Sequence, residues 1–195
     1  MSQRPVRVSI AGVTAYTGQQ AARLLAGHPG FELVSASSDA LAGRRVEALI
    51  PGLEADGRAT IVGHGDAAMA ARDHGAQLAL LATPPRQCAE MSATLLADGV
   101  RVIDLSGAHR LVDPKAHMAA YGTPRDTATT AVYGLTEWAA PDALRSAQLI
   151  ANPGGFPCAA LLALLPLQEA GLLGDRLVVD GCATGQGLCM AKLES

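Results

Sequence analysis

Val6 to Gly18, reading V-R-V-S-I-A-G-V-T-A-Y-T-G, constrains this chain more than any other stretch. Val6, Val8 and Ile10 are apolar at a spacing of two and predict a strand. Gly12 follows at once, and Thr17 to Leu25 reads as a helix. A strand, a glycine turn and a helix together gather free backbone N–H groups and the positive end of a helix dipole at one point, which suits a phosphate. Gly12 would permit the tight turn, and Gly18 would let the helix pack closely on the strand. The spacing is G-x5-G, with Ala15 where G-x-G-x-x-G has its middle glycine. Two readings follow from this pattern. Gly12, Thr14, Ala15, Tyr16, Thr17 and Gly18 form a dinucleotide cradle, or the segment is a βα turn that holds no ligand.

The remainder of the chain repeats the unit. Phe31 to Ser38 reads as a second strand, Thr60 to Val62 as a short third, Gln77 to Ala82 as a fourth and Val100 to Leu105 as a fifth. The Gln77–Ala82 run is almost continuously apolar, as a strand covered on both faces should be. Helices are expected between them: Ala67 to His74 with Asp66 as N-cap, and Gln87 to Ala97 after Pro84-Pro85. Strands alternating with helices predict an α/β fold with a doubly wound parallel sheet. Residues 1–151 would form this dinucleotide-binding domain, and 152–195 the incomplete start of an α+β catalytic or dimerisation domain. Within the latter, Phe156 to Leu167 is an expected apolar helix and Leu177 to Val179 an expected strand.

Composition narrows the function classes. With 49% hydrophobic and 17% charged residues, the 195-residue chain can fill a sizeable core. A net charge of −3 without a basic block argues against nucleic acid. No apolar run reaches the length of a membrane span, and Ser2 to Pro5 leads directly into the first strand, so no membrane association, no signal peptide and a cytoplasmic setting are expected. Cys88, Cys158, Cys182 and Cys189 lack metal-site or disulfide spacing, so no metal is expected and buried, reduced thiols are the default. His28, His64, His74, His109 and His117 read as loop or packing residues, with no Asp or Cys partner at motif spacing.

Three further places carry chemistry. At the end of the second strand, Asp39 would accept from ribose hydroxyls, whereas Ser37, Ser38, Arg44 and Arg45 would hold a 2′-phosphate. Beyond the fifth strand stand Ser106, Gly107 and Arg110, and the Arg110 fork matches phosphate geometry; a surface salt bridge is the alternative for that arginine. Asn152-Pro153-Gly154-Gly155-Phe156-Pro157-Cys158 precedes the apolar helix, a turn suited to a nucleophile or an oxyanion hole.

Together these pieces resemble N-acetyl-gamma-glutamyl-phosphate reductase, with aspartate-semialdehyde dehydrogenase as a more distant relative. The resemblance runs from about Val6 to Asp180. It rests on Gly12 to Gly18, Ala36-Ser37-Ser38 with Ala42-Gly43-Arg44, Val102 to Gly107 with Arg110-Leu111, Val132 to Leu135, and Ile150 to Gly154. It implies a Rossmann-like domain, NADP as cofactor, and reduction of an acyl phosphate to a semialdehyde in arginine biosynthesis. Ser106, Gly107, Arg110 and Asn152 become substrate-binding positions. It also implies a nucleophilic cysteine directly after the Asn-Pro-Gly segment and a histidine acid/base later in the second domain. This chain departs from that pattern. Gly155 stands at the cysteine position, Ala108-His109 replaces an acidic–aromatic pair, Asp39 replaces a common basic residue, and the match fades beyond Asp180. Cys158 is the substitute nucleophile to weigh, one helical turn further on. The expectation is an impaired, C-terminally truncated family member that forms homo-oligomers or aggregates. The alternatives are an inactive NADP-binding remnant, or a related aspartate-semialdehyde-dehydrogenase-like or lysine-pathway acyl-phosphate reductase.

Overall fold

The structure, a computed structural model, describes residues 4–49, 60–125, 129–174 and 176–181. Pro51, Gly52, Gly57, Cys182 and Cys189 lie outside the described residues, as does 182–195 of the expected second domain.

The first strand, β1 (Val6–Ala11), runs into Gly12, and α1 (Tyr16–Ala26) begins four residues later. Next come β2 (Phe31–Ser37), two 3₁₀ turns, β3 (Ile61–Val62), α2 (Ala67–Asp73), β4 (Leu78–Leu81), α3 (Pro85–Ala97) and β5 (Arg101–Asp104). The chain continues through α4 (Pro114–Tyr121), β6 (Val132–Tyr133), α5 (Pro141–Ser146), β7 (Leu149–Ala151) and α6 (Gly155–Glu169). The seven strands lie in the order β3-β2-β1-β4-β5-β7-β6, with every neighbouring pair parallel. The order reverses between β1 and β4, which places a crevice at their carboxyl ends, where sheets of this kind receive ligands.

Alternation along the strands separates two cores. Val8, Ile10, Leu33 and Leu80 pack with Ala22 of α1 on one face. Ala79, Leu81 and Val102 pack with Ala67 and Ala71 of α2 and Cys88 and Leu95 of α3 on the other. Helices thus cover both faces, as the doubly wound expectation requires. The Ser9 and Ser35 hydroxyls, buried between β1 and β2, satisfy one another at 3.1 Å.

Prolines and glycines account for many of the boundaries. Pro85 and Pro114 open α3 and α4, where the missing N–H costs nothing. The Asp113 carboxylate accepts from the Lys115 and Ala116 amides at the start of α4, and Gly122 (φ 66°) closes it in the left-handed region.

Two expectations need correction. Asp66 occupies the N-cap position of α2, but its side chain makes no capping bond, because the 3₁₀ turn His64–Asp66 already feeds the helix. Leu177 to Val179 forms no strand: these residues lie in irregular backbone, with Val178 79% exposed. A strand there would need a sheet edge to pair with, and none meets it among the described residues.

Candidate functional site

At the crevice, Gly12 has φ 82°, and a Cβ built on it would lie 2.7 Å from the Ala82 carbonyl oxygen. A Cβ on Gly18 would strike the Gly12 carbonyl. Both glycines therefore permit close approach: the first of β1 to the β4–α3 connection, the second of α1 to the turn. Gly12 and Val13 amides both donate to Ser37 O, and Ala15 N donates to Gly12 O. Ala15 caps α1 with extended backbone and no side-chain bond, so the first-turn amides from Tyr16 onward have no capping acceptor. Thr14 Oγ1 lies 3.0 Å from Ser38 Oγ, and Gln19 Nε2 donates to Thr14 O. This closely built turn with uncapped amides fits a pyrophosphate.

The end of β2 is less open than its sequence suggests. Ser37 and Ser38 are each 1% exposed. Ser37 Oγ lies 2.9 Å from His64 Nδ1, and Asp39 Oδ1 accepts from the His64 amide at 2.7 Å. Arg44 is exposed, while Arg45 pairs with Glu47 at 3.2 Å.

A second cluster forms where β5 and β7 end. The Asp104 carboxylate is buried and accepts from the Ser106 amide (2.7 Å) and the His109 amide (3.2 Å). It also lies 2.8 Å from His109 Nδ1, and His109 Nε2 sits 3.3 Å from Ser92 Oγ. His109 thus has an acidic partner five residues back, contrary to the sequence reading. Burial pushes the Asp104 carboxyl up, but hydrogen bonds from His109 and Ser106 outweigh it and hold it below the ordinary carboxylate range. A serine, a histidine and an aspartate in line suggest a hydrolytic triad, yet all three are enclosed. Their effect is to fix the loop that presents Arg110.

Arg110 Nε donates to Asn152 O (2.7 Å) and Nη2 to Leu105 O (2.8 Å), tying the ends of β5 and β7. It makes no surface salt bridge among the described residues. A Cβ on Gly154 would come within 2.9 Å of Arg110 Nη1, so Gly154 makes room for the guanidinium. Gly155, the next residue, opens α6, and a Cβ there meets nothing within 4 Å. Arg110, Asn152, Gly154 and Gly155 are therefore brought together. Ser106 Oγ accepts from Ala108 N, and Gly107 gives space to the Tyr121 ring.

Cys158 is only partly buried, one turn into α6, and Cys88 is enclosed beside Thr83. Burial, reinforced by the Asp104 charge, pushes the Cys88 thiol up to about 11, which leaves it unreactive. Tyr133 joins this cluster unannounced by the sequence. Burial raises its hydroxyl pKa, opposed by the nearby Arg110 charge and aided by Tyr121 and Cys158.

A cavity of about 570 Å³ borders the second cluster at Ala108, between the start of α3 and residues 108–125. Arg86, Glu90, His117 and Arg125 are among its lining residues. No helix among the described residues is long and apolar enough to cross a membrane.

The family model for the semialdehyde dehydrogenase NAD binding domain matches residues 7–147. The N-acetyl-gamma-glutamyl-phosphate reductase of Halorhodospira halophila is 41% identical over 187 residues, covering 92% of this chain and 52% of that protein. The enzyme of the same name from Bacillus mycoides is 35% identical over 185 residues, covering 92% and 52%. The chain thus spans about half the length of the curated relatives it matches. Aspartate semialdehyde dehydrogenase II of Vibrio cholerae, complexed with ASA, aligns with TM-score 0.58 and 19% identity over 87% of this chain and 44% of that one. Aspartate semialdehyde dehydrogenase of Candida albicans with NADP gives TM-score 0.53 and 13% identity over 87% and 48%. These two structural likenesses show the fold.

Proposed function

This chain belongs to the semialdehyde dehydrogenase NAD-binding domain family, and on that premise we propose that it is the cofactor-binding part of an NADP-dependent acyl-phosphate reductase of arginine biosynthesis. The name shared by the relatives supports the substrate class. The observation that carries the reading is the convergence of Arg110, Asn152 and the start of α6 at one carboxyl edge, beside a glycine turn shaped for a dinucleotide.

The α1 amides and the Gly12 turn hold the pyrophosphate, and Thr14 and Ser38 brace that turn. NADP, when bound, supplies the hydride. Arg110 has two of its nitrogens fixed on carbonyl oxygens, and no carboxylate among the described residues pairs with it. Its positive charge is therefore held ready for the substrate phosphate, with Ser106, Gly107 and Asn152 lining the same edge. The nucleophile position, Gly155, lacks a side chain. Residues from 152 onward start the catalytic and oligomer-forming unit in this reading.

A second reading is favoured by Gly155 itself: the chain binds NADP without turnover. Covalent catalysis of this kind needs a thiol at the acyl carbon. Cys158 stands a turn away, and about one turn of displacement is roughly 5 Å, too far for a geometry that tolerates little error.

Two measurements test these statements. Equilibrium titration should show NADP binding to the chain, weakened by Gly18→Ala. Phosphate-dependent oxidation of an N-acylated semialdehyde by NADP should be absent. Turnover abolished by Cys158→Ser would instead make Cys158 the nucleophile.

A further inference from the structure

His64 follows β3 by two residues and sits at the carboxyl edge, beside the ends of β2 and β1. Its ring is not free to turn: Nδ1 is 2.9 Å from the enclosed Ser37 hydroxyl. That hydroxyl can donate or accept, so it holds the imidazole in either charge state. With Nδ1 engaged, Nε2 is the nitrogen left for a ligand. Asp39 is held in the same way, with Oδ1 on the His64 amide at 2.7 Å and Oδ2 remaining. Ser38, directly before Asp39 in sequence, touches Thr14 of the phosphate turn at 3.0 Å. An imidazole fixed on the Ser37 hydroxyl and a carboxylate fixed on the His64 backbone thus stand together where an adenosine ribose meets the end of β2.

We propose that His64 and Asp39 form a paired specificity device, with His64 Nε2 receiving the 2′-phosphate of NADP and Asp39 the 2′-hydroxyl of NAD. The proposal rests on the reading of Gly12–Gly18 as a dinucleotide turn. Protonated imidazole makes a charge-assisted bond to phosphate, whereas a carboxylate repels phosphate and accepts from a hydroxyl. Preference for NADP therefore grows as the ring gains its proton. Among the described residues, charge near His64 comes from Asp39 on the facing 3₁₀ turn and Asp66 on its own turn, while Arg44 is tied by its carbonyl to Ile61 N at 2.8 Å. A 2′-phosphate itself becomes less charged at acid pH, which alone would weaken NADP binding. A rise in NADP preference toward acid pH therefore reports on the protein.

The test is calorimetric titration of the chain with NADP and with NAD at about pH 8 and about pH 6, spanning the histidine range. The ratio of NAD to NADP dissociation constants should rise about tenfold on acidification, as expected for one gained charge-assisted contact. In His64→Gln the ratio should stay flat or fall, with NAD binding retained. Asp39→Asn should raise NADP preference at both pH values. The ³¹P resonance of the bound 2′-phosphate gives a second readout and should shift between the unsubstituted protein and His64→Gln. The same rise on acidification in His64→Gln, or a ³¹P resonance unaffected by that substitution, overturns this inference and leaves the dinucleotide reading standing. Failure of the unsubstituted chain to bind either dinucleotide overturns both.

Discussion

At the ends of β1, β2 and β3 the polar side chains pair across neighbouring loops, Thr14 with Ser38, Ser37 with His64, and Asp39 with the His64 amide. At the ends of β5 and β7 the loops depend on one enclosed carboxylate, Asp104, and one arginine that bonds to backbone. The first cluster is closed by steric fit, with glycines where backbones meet. The second is closed by charge, and then opens at Gly155, where a Cβ meets nothing. The first is accordingly sensitive to added atoms and the second to lost charge.

Asp104→Ala should have the largest effect on stability. It would strand the His109 ring and two amides, and breaking such an enclosed polar network costs about 3–5 kcal/mol. The pH dependence has a definite sign. The folded carboxyl titrates below its unfolded value, so its contribution is complete above the unfolded value of about 4 and is lost as pH falls through the folded value. Urea denaturation at neutral and acid pH measures both effects. Amide exchange in acid should accelerate at 104–110 before 9–15; the reverse order breaks the contrast between the clusters.

The same glycine substitution at the two ends makes the second comparison. Gly18→Ala drives a methyl into the Gly12 carbonyl and should cost about 3 kcal/mol, the upper end of overpacking. Gly155→Ala should change stability by less than about 1 kcal/mol, since the position is open and Ala suits a helix. Thermal melts of the two variants should diverge widely. Equal losses would show that the α6 start is as tightly built as the α1 start.

The β1-turn-α1 unit was legible because three constraints coincide in thirteen residues: alternation, a glycine at positive φ, and a glycine at a helix–turn contact. Gln77 to Ala82 and Val100 to Leu105 were legible as central strands for the same reason, an apolar run with a clear stop on each side. Other features depend on distant partners. The short edge strand β6 exists because β7 offers it Ile150 and Ala151 as partners. His109 looked unpartnered because Asp104 ends a strand, and only the loop's return brings the two to 2.8 Å. Tyr133 and His64 likewise acquire surroundings through sheet order. Helix α4 has a readable Asp-Pro start and Gly stop, but its face is too weakly amphipathic to stand out. Leu177 to Val179 misled in the opposite direction, since β-branched composition does not by itself supply a pairing edge.

Cys88 offers a smaller and alkaline counterpart to Asp104. Its folded thiol titrates near 11 against an ordinary value of 9, so the folded state keeps the proton that the unfolded chain loses. Its stabilising contribution is complete below pH 9 and declines between 9 and 11, by about 2–3 kcal/mol at most for a two-unit shift. Cys88→Ala should flatten the loss of stability across that window relative to the unsubstituted chain. Identical slopes would mean that the thiol is not buried as described.

Gly155→Cys should disturb the fold least and sharpen the contrast most. Open space around a Cβ at 155 lets the side chain in without moving a neighbour. The thiol would then sit in the first turn of the fifteen-residue α6, one residue from the glycine that borders Arg110 Nη1. Both the helix terminus and the guanidinium favour thiolate over thiol, so the introduced group should titrate below the ordinary cysteine range. Cys158, already present a turn further along α6, provides an internal standard. At neutral pH, alkylation at 155 should outpace alkylation at 158, and Arg110→Met should slow the former more than the latter. Melting temperature should remain nearly unchanged in Gly155→Cys. A slow, salt-insensitive reaction at 155 would show that Arg110 is spent on its two carbonyl oxygens and does not act on the nucleophile position. The charge-built end would then be a structural joint, and the proposed phosphate site would lose its principal cation.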